Sequence, residues 1–288
     1  MARIDQRHPS NAVGAWFVDT RCIDCGTCRE LVPELFASVA DQSVVAAQPR
    51  GPDDEGRAWL AAGACPTQSI GRTPRTARPP RLFPRHVDGP VYDLGHTSED
   101  SFGATSDLVA RPNGNLMVDS PRFTRALTGP LDEAGGLGHV LLTHRDDVAD
   151  ALRWADRYGA RVWVHEADAR AAPGATDVLR GTDPATVAPG VVALPVPGHT
   201  RGSVVFAVDK TWLFTGDSLA WSPERGDLTA FRDACWYSWA EQARSLARLA
   251  TTTPFSWVLP GHGARTGLDP DDARRRLLRL VERMRAAA

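Results

Sequence analysis

The chain has 288 residues, a length that fits either one large domain or two smaller ones. Hydrophobic residues make up 42% and charged residues 24% of the sequence, which excludes a chain that is disordered throughout. The formal net charge of -2 excludes a general electrostatic attraction to nucleic acid or anionic lipid.

The beginning of the sequence carries no targeting pattern. Its first ten residues are polar and lack the apolar segment of a secretory signal. No uninterrupted apolar run approaches the roughly 20 residues that a membrane-spanning helix needs. We therefore expect a cytoplasmic protein without membrane or nucleic-acid partners.

Four of the five cysteines form one pattern. Cys22, Cys25 and Cys28 are each separated by two residues, and Cys65 follows later, directly before a proline. Thiolates at this spacing are typical of a metal or cluster site in a reducing compartment rather than of disulfides. A structural zinc site is the alternative, although zinc sites usually pair two Cys-x-x-Cys segments. Cys235 lies in an aromatic stretch and is predicted to be a small buried hydrophobe.

The contexts of these cysteines, CIDCGTCRELVPELF and ACPTQSI, resemble single-cluster ferredoxins. The resemblance implies that Cys22, Cys25, Cys28 and Cys65 bind one 4Fe-4S cluster in an α+β ferredoxin-like domain over residues 1–76. Small and polar residues separate these ligands, so that backbone N–H groups can approach the cluster sulfurs. Residues 77–90 are rich in proline and arginine and are predicted to form a linker.

Residues 91–288 alternate short apolar runs with helical patterns and predict an α/β domain. The run SDLVARPNGNLMVDS predicts a hairpin with its turn at Asn113 and Gly114. A buried strand is predicted at HVLLTH, and further strands are predicted at RVWVHE, GVVALPVPGHT, SVVFAVDKTWLFTGDS and FSWVLPGHG. The pattern DPDDARRRLLRLVERMR predicts a last amphipathic helix that starts near Asp269 and Pro270.

Four of the predicted strands end in residues of types that commonly bind metal ions: His144, His199, Asp217 and His262. A glycine directly precedes each of the last three, which lets the backbone turn sharply at the strand end. Turns of this kind allow imidazole and carboxylate groups to converge on one point outside a sheet.

The order His, His, Asp, His in these contexts resembles the metallo-β-lactamase superfamily over residues 91–265. The resemblance implies a four-layer αββα sandwich with one or two metal ions, zinc or iron, at the edge between its two sheets. It further implies that Asp217 bridges the two ions. Members of the family mostly use the metal to activate water for attack on an ester, amide, thioester or phosphoester.

The first ligand motif departs from the family pattern His-x-His-x-Asp-His, because the sequence reads THRDDVADA. Asp146 occupies the second histidine position, Val148 the aspartate position and Ala149 the last histidine position. Asp146, Asp147 and Asp150 are candidate replacements, with Asp146 preferred, and capping of the following helix is their alternative role. Carboxylates in place of imidazoles favour iron or manganese over zinc.

Other histidines and aromatic residues are assigned less specifically. His96, His139 and His165 are predicted to be hydrogen-bonding or core residues outside the site. The aromatic segment WSPERGDLTAFRDACWYSWAEQ fits either a pocket wall or core packing.

Together these patterns predict a metal-dependent hydrolase of a small-molecule substrate, with a redox-active or redox-sensing cluster. A redox partner protein is a further expectation. The catalytic candidates are Asp146 and Asp217, and the metal-ligand candidates are His144, Asp146, Asp150, His199, Asp217 and His262. One alternative is an oxidoreductase of the di-iron type fed by the cluster, since flavodiiron proteins are similar in having a carboxylate at the second histidine position. The other is a non-catalytic electron-transfer or sensor protein with a degenerate metal site.

Overall fold

The computed structural model describes residues 2–287, which form a small N-terminal unit packed against a larger one. The elements of the N-terminal unit are β1 (Trp16–Val18), α1 (Thr27–Leu31), β2 (Phe36–Val39), β3 (Gln42–Val45), α2 (Pro52–Ala64) and β4 (Ile70–Arg72). Antiparallel pairs join β1 to β4 and β2 to β3. The small side chains of Ala58, Ala61 and Ala62 let α2 approach a core that contains Trp16 and Phe36.

The larger unit begins with a seven-stranded mixed sheet in the order β11-β10-β9-β8-β7-β6-β5. Its elements are β5 (Arg85–Asp88), β6 (Val91–Asp93), β7 (Asp107–Val109), β8 (Leu116–Val118), α3 (Arg125–Glu133), β9 (His139–Leu141), α4 (Ala151–Tyr158), β10 (Arg161–His165) and β11 (Asp177–Leu179). The pairs from β8 to β11 are parallel, and those from β5 to β8 are antiparallel. As predicted, β7 and β8 form a hairpin around Asn113 and Gly114.

A six-stranded sheet follows in the order β12-β13-β14-β15-β18-β19. The remaining elements are β12 (Ala185–Ala188), β13 (Val191–Pro195), β14 (Val204–Val208), β15 (Trp212–Gly216), β16 (Ala220–Ser222), β17 (Asp227–Thr229), α5 (Trp239–Thr252), β18 (Trp257–Pro260), β19 (Thr266–Gly267) and α6 (Pro270–Ala286). Strands β16 and β17 form a separate hairpin. The predicted start of the last helix is correct, because the side chain of Asp269 accepts hydrogen bonds from the backbone N–H groups of Asp271 and Asp272.

Three apolar clusters hold these elements together in layers. One lies between the two sheets and contains Val118 and Phe206. A second packs α3 and α4 on the first sheet around Trp154, and the third packs α5 and α6 on the second sheet around Leu246. The larger unit is therefore the four-layer αββα sandwich expected from the sequence. No helix within residues 2–287 combines the length and the apolar character that crossing a membrane requires.

The segment predicted as a linker is partly incorporated into the fold. Strand β5 lies within residues 77–90 and pairs with β6, which satisfies backbone groups that a free tether would expose to water. Phe83 is buried in the core of the larger unit and also contacts Gly63 of α2. The guanidinium group of Arg122 donates hydrogen bonds to the carbonyl groups of Gly63, Cys65 and Thr97. The two units thus share a packed junction.

Candidate metal centre and cysteine site

The four patterned cysteines line one pocket in the N-terminal unit, together with Val18, Ile23, Thr27, Ser43, Pro66, Thr67 and Ile70. We call Cys22, Cys25, Cys28 and Cys65 the cysteine site; all four thiols are free of disulfides. Cys25 lies in the connection that precedes α1, Cys28 lies in the first turn of α1, and Cys65 directly follows α2. Burial raises the pKa of Cys25 to about 11 and raises that of Cys28 further. Thiolates at these positions therefore require a cationic ligand to hold them.

Hydrogen-bond donors already face the sulfur atoms of this site. The backbone N–H groups of Asp24 and Ser43 lie 3.4 and 3.3 Å from Cys22 Sγ, and that of Ser69 lies 3.3 Å from Cys65 Sγ. The hydroxyl of Thr27 lies 3.3 Å from Cys25 Sγ. Four convergent thiols with donors aimed at them are the donor set that a 4Fe-4S cluster needs, so the residues fit that group.

Cys235, in contrast, lies outside the cysteine site and is half-buried. Its thiol donates to the carbonyl of Gly198, 3.2 Å away, and the backbone N–H of Trp236 donates to the carbonyl of His199. This residue therefore supports the loop that carries His199 and is more than the buried hydrophobe that we predicted.

In the larger unit, His144, His199 and Asp217 form a potential metal-binding group among the described residues, with ligand atoms within 4.8 Å of one another. Asp146 joins them, because its Oδ2 atom lies 3.4 Å from His199 Nε2 and 3.9 Å from His144 Nε2. Oδ2 of Asp217 lies 3.7 Å from both imidazole Nε2 atoms. We call these four residues the histidine–aspartate site. Ligands in a tetrahedron about 2.0–2.2 Å from an ion lie roughly 3.3–3.6 Å apart, so the spacing suits one metal ion.

Unpaired polar atoms support the same interpretation. The Nε2 atom of His144, both ring nitrogens of His199 and Oδ1 of Asp217 are buried without a hydrogen-bond partner. Buried polar groups are almost always paired, because leaving one unpaired costs about 1–3 kcal/mol. Two imidazole nitrogens and two carboxylate oxygens are donors for zinc, iron or manganese, so the histidine–aspartate site fits a metal ion.

A hydrogen-bond chain behind His144 sets the orientation of its ring. Asp119 accepts the hydroxyl proton of Thr143 at 2.8 Å, so Thr143 Oγ1 is left to accept a hydrogen bond from His144 Nδ1 at 2.9 Å. Nε2 then carries the free lone pair and faces Asp146 and Asp217. Burial lowers the pKa of His144 to about 4, which keeps the imidazole neutral at pH 7.

The glycines that precede the ligands are needed mainly for close approach. A Cβ atom on Gly216, whose φ is +47°, would lie 2.4 Å from Thr143 Oγ1. One on Gly261 would lie 2.8 Å from Asp147 Oδ2 and 2.9 Å from Asp217 Oδ1. Only Gly216 of these two has the sharp left-handed turn that we expected.

The three aspartates of the first motif have different surroundings. Asp146 faces the histidines, and the adjacent His199 ring lowers its pKa. Asp147 is buried beside His144 and Asp217, and burial raises its pKa well above the usual range. Asp150 is not brought to the site: its carboxylate accepts a hydrogen bond from the backbone N–H of Phe123 and lies near Arg153. Its side chain makes no cap bond to α4.

A cavity of about 1060 Å³ opens above the histidine–aspartate site. We call it the metal pocket. His262 lines it, with its ring centroid 6.1 Å from that of Phe102, but His262 lies outside the group of close ligand atoms. The other lining residues are Asp100, Ser101, Arg145, Asp146, Asp147, His199, Asp217, Arg225, Thr229, Ala230, Phe231, Arg232, Asp233, Ala234 and Trp236.

The aromatic segment serves both roles that its sequence allowed. Phe231 and Trp236 line the metal pocket, whereas Trp221 and Trp239 pack against the core formed with α5 and α6. Tyr237 is exposed to solvent.

Sequence reasoning missed the buried carboxylate that joins two ligand loops. Asp168 accepts hydrogen bonds from the backbone N–H of Arg145 at 3.1 Å and from the hydroxyl of Thr200 at 2.6 Å. It therefore ties the residues beside His144 and His199 together. No motif surrounds Asp168 in the sequence, and only the fold shows its position.

Fold and site together define an αββα protein with a metal-type donor set between its sheets. A model of the metallo-beta-lactamase superfamily matches residues 97–282, and the chain belongs to this superfamily. Ahead of that match, residues 18–72 match the model of the 4Fe-4S single cluster domain of Ferredoxin I. The family and the fold class expected from the sequence are thus confirmed.

Curated relatives include two proteins named hydroxyacylglutathione hydrolase. The one from Fuscovulum blasticum is 34% identical over 150 residues, which are 51% of this chain and 56% of that protein. The one from Acidiphilium cryptum is 35% identical over 184 residues, 58% of this chain and 70% of that protein. The chain therefore spans only about half to two thirds of the length of these relatives.

Solved structures show the same fold at low sequence identity. DIM-1 metallo-beta-lactamase has a TM-score of 0.52 and 20% identity, covering 71% of this chain and 96% of that one. The mono-zinc form of FIM-1 from Pseudomonas aeruginosa has a TM-score of 0.51 and 15% identity, covering 69% of this chain and 93% of that one.

Proposed function

We propose that the chain is a metal-dependent hydrolase of small acyl compounds, and that its cysteine site binds one 4Fe-4S cluster. The observation that carries the proposal is the convergence of His144, Asp146, His199 and Asp217 beside an open pocket, with unpaired buried atoms on the two histidines and on Asp217. A metal ion bound there would lower the pKa of water and supply a nucleophile at neutral pH.

The protein residues would have distinct tasks. His144, oriented by Thr143, and His199 would bind the metal through ring nitrogens, and the carboxylates of Asp146 and Asp217 would offset its charge. Asp146 and Asp217 remain the catalytic candidates, because both line the pocket in which a substrate would lie. Phe231 and Trp236 provide apolar walls for an organic substrate.

Charge in the metal pocket indicates the kind of substrate. Arg145 and Arg225 are among its lining residues, which also include five aspartates, and either arginine would pair with an anionic group of the substrate. A carboxylate-bearing thioester fits this chemistry, and two relatives are named hydroxyacylglutathione hydrolase. We therefore propose an acyl thioester with a carboxylate as the substrate class.

The test is hydrolysis by anaerobically prepared protein of known metal content. We expect thiol release from a panel of carboxylate-bearing thioesters, including hydroxyacylglutathione. His199→Ala should lower kcat/KM by more than the 10- to 100-fold that removal of an outer partner of a metal ligand costs. His165→Ala is the matched control, since His165 is also buried but bonds to Gly181 outside the site. Equal activity in both variants would contradict the proposal.

A redox function is the second candidate, and one observation favours it. Asp146 replaces an imidazole with a carboxylate, and the buried Asp147 lies beside it, so that the site is rich in hard oxygen donors. Oxygen donors favour iron over zinc. Iron in the histidine–aspartate site, together with turnover that needs an electron donor and a working cysteine site, would support this candidate over hydrolysis.

A further inference from the structure

The cysteine site and the metal pocket share one short segment of chain. Asp100, Ser101 and Phe102 line the metal pocket, and the next residue, Gly103, contacts the cysteine site. A Cβ atom on Gly103 would lie 2.7 Å from Cys25 Sγ, so only glycine allows this approach. We call residues 100–103 the wall segment. Residues 100–102 of the wall segment border the metal pocket, and Gly103 borders the cysteine site.

The backbone of the wall segment has an unusual conformation. Phe102 has a φ of +50°, which residues other than glycine rarely adopt, and Gly103 has a φ of +84°. The Phe102 side chain is 54% exposed and faces His262 across the metal pocket. Surrounding contacts must hold such a conformation in place, and a change in one of them can move the segment.

Thr27 supplies one of these contacts and also touches the cysteine site. Its buried hydroxyl donates to the carbonyl of Gly103 at 2.9 Å and lies 3.3 Å from Cys25 Sγ. A cluster-bound thiolate has no proton to give, so Thr27 is the donor in either contact. Because a hydroxyl has one proton, the Gly103 carbonyl and the Cys25 sulfur compete for it.

We propose that Thr27 is a positioning residue that couples the charge of the cysteine site to the wall segment of the metal pocket. This inference rests on the proposed cluster and pocket functions. One electron from a low-potential donor makes the cluster and its sulfur ligands more negative. The Thr27 hydroxyl then turns from the Gly103 carbonyl toward Cys25 Sγ, and no covalent bond is formed or broken. The wall segment loses one bond, and Phe102 becomes freer to move.

The chain contains a matched control for Thr27. Thr67 follows Cys65 by two residues, as Thr27 follows Cys25, and its hydroxyl lies 3.6 Å from Cys65 Sγ. The Thr67 hydroxyl contacts the hydroxyl of Ser69 at 2.7 Å, within the N-terminal unit. Removing either hydroxyl perturbs one sulfur ligand, but only Thr27 connects to the wall segment.

Amide hydrogen exchange of the full protein tests the inference without substrate. The peptide spanning residues 98–104 is compared in the oxidised protein and after reduction with dithionite, with residues 185–195 as the internal reference. We expect exchange in the first peptide to rise about threefold to tenfold on reduction, the range set by the loss of one hydrogen bond. Thr27→Val should abolish the difference, while Thr27→Ser and Thr67→Val should retain it.

Equal exchange of the wild-type peptide in both states would overturn the inference, and so would a redox difference that survives in Thr27→Val. A difference that disappears equally in Thr67→Val would also overturn it, because a general change in the cluster would then be the cause. If Thr27→Val does not fold, the exchange rates of the oxidised and reduced wild-type protein still test whether the wall segment responds to reduction. Absence of thioester hydrolysis alongside the expected exchange pattern would refute the proposed substrate reaction and leave the coupling intact.

Discussion

The cysteine site takes its donors from residues 22–65, within one small unit, whereas the donors of the histidine–aspartate site are spread over residues 144–217 and both sheets of the sandwich. The first set is uniform, and each thiol must be deprotonated before it can bind. The second set is mixed, and a buried chain from Asp119 through Thr143 orients one of its imidazoles. A compact set of identical donors leaves little room for substitution, while a set assembled by the fold can exchange an imidazole for a carboxylate.

Loss of a single sulfur ligand should have the largest effect and would separate the two sites. Cys28→Ala should remove nearly all cluster absorbance, because the binding energy of the cluster is also folding energy of its small unit. Metal in the histidine–aspartate site should persist, and the hydrolysis rate should be no more than about tenfold below that of the wild-type protein. Cys235→Ala is the control and should keep its cluster. Loss of both the cluster and the metal of the histidine–aspartate site from Cys28→Ala would show that the two sites are not independent.

The junction between the two units should be sensitive to acid through His96. Burial, with Arg122 and Arg78 nearby, lowers the pKa of His96 to about 4, although Asp93 acts in the opposite direction. The unfolded chain binds the proton near pH 6.5 and the folded chain only near pH 4, so the His96 contribution to stability is full above pH 6.5 and is lost progressively as pH falls to about 4. The loss attributable to His96 should reach roughly 3 kcal/mol.

Urea unfolding between pH 4 and 7 measures this loss. His96→Gln should reduce the pH dependence of the unfolding free energy by the share attributable to His96, whereas His86→Gln, at an exposed histidine in β5, should leave it unchanged. A pH dependence that is the same in His96→Gln and in the wild-type protein contradicts the assignment.

A smaller effect should follow from removing the hydroxyl behind His144. Thr143→Val removes the hydroxyl that Asp119 accepts from, leaving this carboxylate only the backbone N–H of residue 143, and leaves His144 Nδ1 without an acceptor. Metal affinity of the histidine–aspartate site should weaken about 10- to 100-fold, which a competition titration with a chelator measures. Thr143→Ser should restore most of the affinity. Cluster absorbance should be the same in all three proteins, and an affinity unchanged by Thr143→Val counts against the proposed orientation of His144.

Sequence patterns were most informative where a constraint is local. The spacing of Cys22, Cys25 and Cys28, the hairpin at Asn113 and Gly114, and the helix start at Asp269 each depend on a few neighbouring residues. The positions of Asp146 and Asp147 depend instead on a short helical turn, Arg145–Asp147, and Asp150 directly precedes α4. Three similar carboxylates within five residues carry no signal that tells which one faces His199.

The same reasoning explains what was missed at the junction. The strand in the predicted linker forms only because β6 offers it an edge to pair with. Likewise, the contact between Thr27 and Gly103 joins residues 76 positions apart in the sequence. Pairing of distant segments is tertiary information, and neither composition nor spacing predicts it.

Anomalous X-ray diffraction from anaerobically grown crystals can show whether the chain holds two separate inorganic centres. We predict one iron signal among the sulfur atoms of Cys22, Cys25, Cys28 and Cys65, and a distinct metal signal between His144 Nε2, His199 Nε2, Asp146 and Asp217. Scattering at the cysteines alone, from protein prepared in the presence of zinc and iron, would contradict the account.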